Sequence, residues 1–231
     1  MLPSFRRGAF ALFTLIFAVT LLFGDRAAVA AATTVEAAQV LAGQRWWTPL
    51  SALFRHPEGV GLFGLLWTLA IQWVIGSRLE GFWGSGRYLL MVLVAGAVGY
   101  GSAIGLSAAL PEIATVELSG AAPIDAAACG AFGIVFAGER MRFGSREVAP
   151  ALLAGIGATL SIAFPLVVTL VAGTPLAHAW IALVPGVVAG LVATLFVQPW
   201  RKRENSGKVG RTNQSDHPHL RVVRTPEDML N

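Results

Sequence analysis

Six long apolar runs, separated by connections that collect most of the charge, leave this 231-residue chain few ways to fold. The runs lie at about 8–24, 59–79, 87–110, 121–138, 148–172 and 176–200. A helix of about 18 or more apolar residues reaches across a hydrocarbon core roughly 30 Å thick. Lipid offers the backbone no hydrogen-bond partners, so such runs must satisfy themselves as helices. Only 13% of the residues are charged and mean hydropathy is +0.65, whereas soluble domains carry about 25% charge. The expected fold is all-α: a polytopic bundle of six transmembrane helices spanning 8–200. A short N-terminus (1–7) precedes it, and a polar tail (201–231) follows that is expected to be disordered and cytoplasmic.

The basic residues report topology. Arg6 and Arg7 precede the first run, and Arg78 and Arg87 flank the second-to-third connection. Arg140, Arg142 and Arg146 lie between runs four and five, and Arg201, Lys202 and Arg203 follow run six. The opposite side holds Arg26, Arg45 and Arg55 in a long loop. The excess of Lys and Arg on one side predicts both termini in the cytoplasm, with the bacterial inner membrane as the expected location. A net charge of +4 and a pI near 10.0 invite a nucleic-acid reading. The cations sit at the ends of apolar runs, however, and form no basic face with interleaved aromatics, so nucleic acid is excluded as a partner. The first run has a second reading as a cleaved signal peptide, with Ala28-Val29-Ala30 as a small-residue cleavage site. Five helices would then remain in the same orientation. A single cysteine, Cys129, rules out an intrachain disulfide.

Small residues mark where helices touch, because close backbone approach drives helix association in lipid. Gly96, Gly99, Tyr100, Gly101 and Gly105 crowd run three, run four is almost all small residues over 126–133, and Gly186 and Gly190 stand four apart in run six. A core of runs three, four and six follows. Trp46, Trp47, Trp83, Trp180 and Trp200 fall near run ends, where indoles anchor at the membrane interface.

Ionisable residues at membrane depth are functional candidates by default. Asp125 begins run four, where a first-turn carboxylate is stabilised by the helix dipole and an N-cap role is the simpler expectation. Gln72 in run two is expected to hydrogen-bond a neighbouring helix. His56, Pro57 and Glu58 belong to the long loop. No metal-ligand cluster, carboxylate pair or phosphate loop is present in the sequence, so neither a metal nor a cofactor is expected.

Several stretches occur in a telling order. Trp46-Trp47-Thr48-Pro49-Leu50 leads to Phe54-Arg55-His56. Gly76-Ser77-Arg78-Leu79-Glu80 is followed by Gly84-Ser85-Gly86-Arg87. Then come Cys129-Gly130-Ala131-Phe132-Gly133 and Gly186-Val187-Val188-Ala189-Gly190. Together they resemble the signature of the rhomboid intramembrane serine proteases over residues 10–200. The resemblance implies a six-helix fold with a water-filled cavity on the non-cytoplasmic side. In active members a serine on helix four attacks the peptide carbonyl, a histidine on helix six is its base, and a histidine and asparagine on helix two hold the oxyanion.

Carried over residue by residue, these roles fail here. The nucleophile position holds Cys129, the base position Leu183, and the oxyanion positions Gly64 and Thr68. A thiol is a competent nucleophile in principle, but it needs thiolate character, which apolar surroundings disfavour. His178, near the start of helix six, lies five residues before Leu183, about 7.5 Å along a helix axis. The resemblance assigns structural roles to Glu80, Arg87, Gly130, Gly133, Gly186 and Gly190. It also implies that Glu80 ties the end of helix two to its neighbour, with Arg87 as an ion-pair partner. The expected function is that of a rhomboid-like pseudoprotease, with membrane lipids and the transmembrane segments of client proteins as partners. Two alternatives stand beside it: an intramembrane endopeptidase using Cys129, and a small transporter or channel.

Overall fold

The computed structural model describes residues 4–57, 61–143 and 146–197. The polar tail, Trp200, the 201–203 cluster and Glu58 lie outside the described residues. Four helices are long and apolar enough to cross a membrane: Gly61–Trp83, Ser85–Ala109, Pro150–Val171 and Leu176–Val197. Two apolar helices are shorter, Arg7–Leu22 and Ala122–Val135. In chain order these six are helices one to six. The chain is therefore a multipass helical membrane protein.

Helix four is 14 residues long, about 21 Å at 1.5 Å per residue, shorter than the 121–138 run suggested. It has no need to match the hydrocarbon thickness because protein surrounds it. Every residue over 122–129 is buried, as expected of a helix apolar on all faces. Its alanines let neighbouring backbones close in. A Cβ on Gly130 would lie 2.8 Å from the Gly190 carbonyl oxygen, bringing helices four and six into backbone contact. A Cβ on Gly133 would lie 3.0 Å from that of Ala154 on helix five. Helix five thus belongs to the core alongside three, four and six. Gly101 and Gly105, in contrast, face open space, with nothing within 4 Å of a Cβ placed on either.

Helix two runs past the expected end at residue 79 to Trp83 and contains a π-helical turn, Gln72–Gly76. Widened turns of this kind occur often at functional sites. Ser77 Oγ donates to the Gln72 carbonyl at 3.2 Å within that turn. Gly84, at φ 81°, breaks the chain sharply between helices two and three. Helix one packs into the bundle through the buried residues Ala9, Leu12 and Ile16.

The long loop carries three short helices, Ala27–Ala32, Ala37–Leu41 and Thr48–Ser51. Strand β1 (Val35–Glu36) pairs antiparallel with β2 (Glu117–Leu118), fastening the loop to the connection between helices three and four. A hairpin of β3 (Met141–Phe143) and β4 (Arg146–Val148) joins helices four and five, with Arg140 paired to Glu147 at 3.5 Å. Of the tryptophans expected at the interface, Trp46 and Trp47 are exposed and Trp83 is buried. Trp83 sits beside Phe82 in an edge-on ring contact, because helix two continues inside the bundle past the expected boundary.

Candidate functional site

At the centre of the bundle five polar side chains from four elements meet. Asp125, in the first turn of helix four, is fully buried. It makes no N-cap bond, and its oxygens turn to helix two instead. Thr68 Oγ1 donates to Oδ2 at 2.7 Å, and Gln72 Nε2 donates to Oδ1 at 3.0 Å. Tyr88 of helix three donates its hydroxyl to Gln72 Oε1. Thr68 and Gln72 lie one helical turn apart and so share a face. Gln72 thus bonds neighbouring helices, as its sequence position suggested.

The fifth member is His56 from the loop. Its Nε2 lies 3.2 Å from Thr68 Oγ1, and its backbone N–H donates to Thr20 Oγ1 at 3.1 Å. The ring occupies the space above Gly64, where a Cβ would lie 2.7 Å from His56 Cγ. Only glycine at position 64 admits the imidazole here. Burial pulls the imidazole from 6.5 down to about 4, so the ring is neutral near pH 7. Gly64 and Thr68, where the resemblance would put the oxyanion side chains, therefore meet at one place, filled by a histidine from the loop. Sequence reasoning placed His56 in the loop and missed this insertion and Tyr88. The available signal was a glycine standing where the resemblance expects a large polar side chain.

Cys129 is buried, one turn beyond Asp125 on helix four. Its thiol points at helix five: a Cβ on Gly157 would lie 2.7 Å from Sγ, and the same point is 3.4 Å from Ile71 Cδ1 of helix two. Leu183 ends the 3-10 turn Trp180–Leu183 of helix six and is half-buried. His178 lines a cavity of about 890 Å³ at the loop end of the bundle, together with Glu36, Arg55, Tyr100, Ser119 and Pro123. Cys129 is not part of that lining. His178 and Cys129 are thus not brought together.

Glu80 acts at the other end. Its carboxylate accepts the backbone N–H groups of Gly8 and Ala9 at 2.9 and 2.8 Å and the Ser85 hydroxyl at 2.6 Å. Helix two is thereby tied to the start of helix one and to helix three. Arg6 N–H reinforces the junction by donating to Ser77 Oγ at 3.1 Å. Gly186 faces Ile162 of helix five, at 3.0 Å from a placed Cβ.

No protein-family model, no curated protein and no solved structure matches this chain. The functional reading rests on the residues themselves.

Proposed function

We propose that this chain is a rhomboid-like protein with six membrane helices that binds transmembrane segments of client proteins without cleaving them. The observation that carries the reading is the state of Cys129, whose thiol is packed against Gly157 and lies outside the cavity. Hydrolysis needs a nucleophile within about 2.6–3.2 Å of its base, and position 183 offers a leucine. Gly64 brings no donor of its own, and the Thr68 hydroxyl is engaged by Asp125. What remains is a membrane scaffold with large apolar side chains on its lipid side, among them Phe63 and Leu66 of helix two and Ile156 of helix five. The distribution of Arg and Lys supports cytoplasmic termini in a bacterial inner membrane.

Photo-crosslinkers at Phe63, Leu66 and Ile156, in cells expressing the full chain, test this. The expected adducts join the protein to full-length membrane proteins through their transmembrane segments. Adducts to lipid alone, or only to truncated fragments, contradict the reading.

One observation favours a transporter or channel instead: a buried carboxylate in a hydrogen-bonded chain between helices, the usual mark of an ion path. Proton-driven flux in liposomes that Asp125→Asn abolishes would favour that class. For the endopeptidase reading, Cys129 would need a base other than His178.

A further inference from the structure

The Thr68 hydroxyl has one hydrogen and two partners, Asp125 Oδ2 at 2.7 Å and His56 Nε2 at 3.2 Å. Only two arrangements complete the chain. In the first, Thr68 donates to a charged Asp125 and accepts from His56 Nε2–H. In the second, a protonated Asp125 donates to Thr68, which donates to a bare His56 Nε2. Gln72 donates to Oδ1 and accepts from Tyr88 in both. Asp125, Thr68 and His56 Nε2 keep the same number of hydrogen bonds to one another in both; the two states differ at His56 Nδ1, which carries a hydrogen only in the second. The first carries one negative charge and the second carries none.

The surroundings allow either charge. Among the described residues, Asp125 forms no ion pair; its hydrogen-bond partners are Thr68 and Gln72. Tyr88 of helix three and Cys129 of helix four are its titratable neighbours, Glu80 of helix two acts on Tyr88 in turn, and His56 of the loop reaches it through Thr68. Helix five contains no titratable residue. His56 Nδ1 lies between the backbone of Gly64 in helix two and the 119–123 turn, 3.6 Å from a Cβ placed on Gly120. Pro57 and Ser119, the chain neighbours of His56 and Gly120, line the 890 Å³ cavity.

We propose that Asp125 is a proton-binding site loaded from the loop-end cavity through His56 and Thr68. A proton bonds to His56 Nδ1. The Nε2–H bond breaks and its proton passes to Thr68 Oγ1, while the original Thr68 hydroxyl proton passes to Asp125 Oδ2. The imidazole is left neutral with its hydrogen on Nδ1, and the carboxyl has gained one proton. No electron is transferred to or from any group. The low basicity of the buried ring keeps the proton from resting on it. Gln72 ends the relay, since a side-chain amide does not pass protons readily. The site therefore stores a proton and couples the loop to the charge of the core. This inference does not depend on the pseudoprotease reading.

Two linked readouts on the full chain in lipid nanodiscs test it. Infrared difference spectra across a pH titration are expected to show a protonated-carboxyl C=O band that Asp125→Asn removes. Nitrogen NMR of histidine, with the His56 signal assigned through His56→Gln, is expected to show hydrogen on Nε2 before the transition and on Nδ1 after it. Thr68→Val is expected to leave the carboxyl band and abolish the linked tautomer change. A His56 tautomer that stays constant through the Asp125 transition in the unsubstituted protein overturns the proposal. So does the absence of any band that Asp125→Asn removes.

Discussion

Glu80 holds the first turn of helix one by accepting the backbone N–H of Ala9 at 2.8 Å, while its other oxygen takes Gly8 at 2.9 Å. Those N–H groups have no partner inside their own helix, and a carboxylate there also meets the positive end of the helix dipole. Hydrogen bonds to a charged group are worth about 1.5–3 kcal/mol each. Glu80→Ala is expected to cost about 3 kcal/mol or more and to free helix one. Thermal unfolding in detergent and limited proteolysis near residue 8 check this. Ser85→Ala, which removes one such bond, is expected to cost about 1.5–3 kcal/mol.

Gly64 leaves room for His56. A methyl at this position collides with the imidazole and forces the ring away from Thr68. Gly64→Ala is expected to destabilise by about 1–3 kcal/mol, the usual cost of overpacking. The same variant is expected to speed hydrogen exchange at the His56 amide, which donates to Thr20.

The thiol of Cys129 and the bare backbone of Gly157 fit one another. Gly157→Ala puts a methyl carbon 2.7 Å from Sγ and is expected to cost about 1–3 kcal/mol. In the Cys129→Ala background most of that cost is expected to vanish, since contacting residues couple and distant ones add. A double-mutant cycle measures the difference. Equal costs in both backgrounds would place the thiol elsewhere.

His56 sets a pH dependence. Its folded value of about 4 lies below the ordinary 6.5, so the folded state binds this proton less tightly than the unfolded state does. Stability from the neutral ring is complete above 6.5 and is lost as the pH falls toward 4. The loss is roughly 3 kcal/mol at most. The stability difference between the native chain and His56→Gln is expected to shrink over that window and to stay flat above it.

Much of this architecture is legible in the sequence because it follows from local rules. Apolar run length locates the helices, and small residues such as Gly130 and Gly190 mark a close crossing. Gln72 announces an interhelical bond, since a lone amide in an apolar run needs a partner. The tie made by Glu80 is suggested by the resemblance and not by a local rule, and its oxygens go to Gly8, Ala9 and Ser85. Features set by chain segments distant in sequence are not legible. Nothing local says that His56 enters the core above Gly64, that Tyr88 reaches Gln72, or that Trp83 is covered. The 141–148 hairpin reads in sequence only as a basic connection. Helix four reads as longer than it is because burial inside protein removes the length requirement that lipid imposes.

The most direct measurement is cleavage of a helix-destabilised transmembrane substrate by the reconstituted full chain and by Cys129→Ala, beside an active rhomboid protease as control. The account predicts no cleavage by either form while the control cuts. Cleavage by the native chain that Cys129→Ala abolishes would contradict it, and would mean that the thiol finds a base after leaving its seat against Gly157.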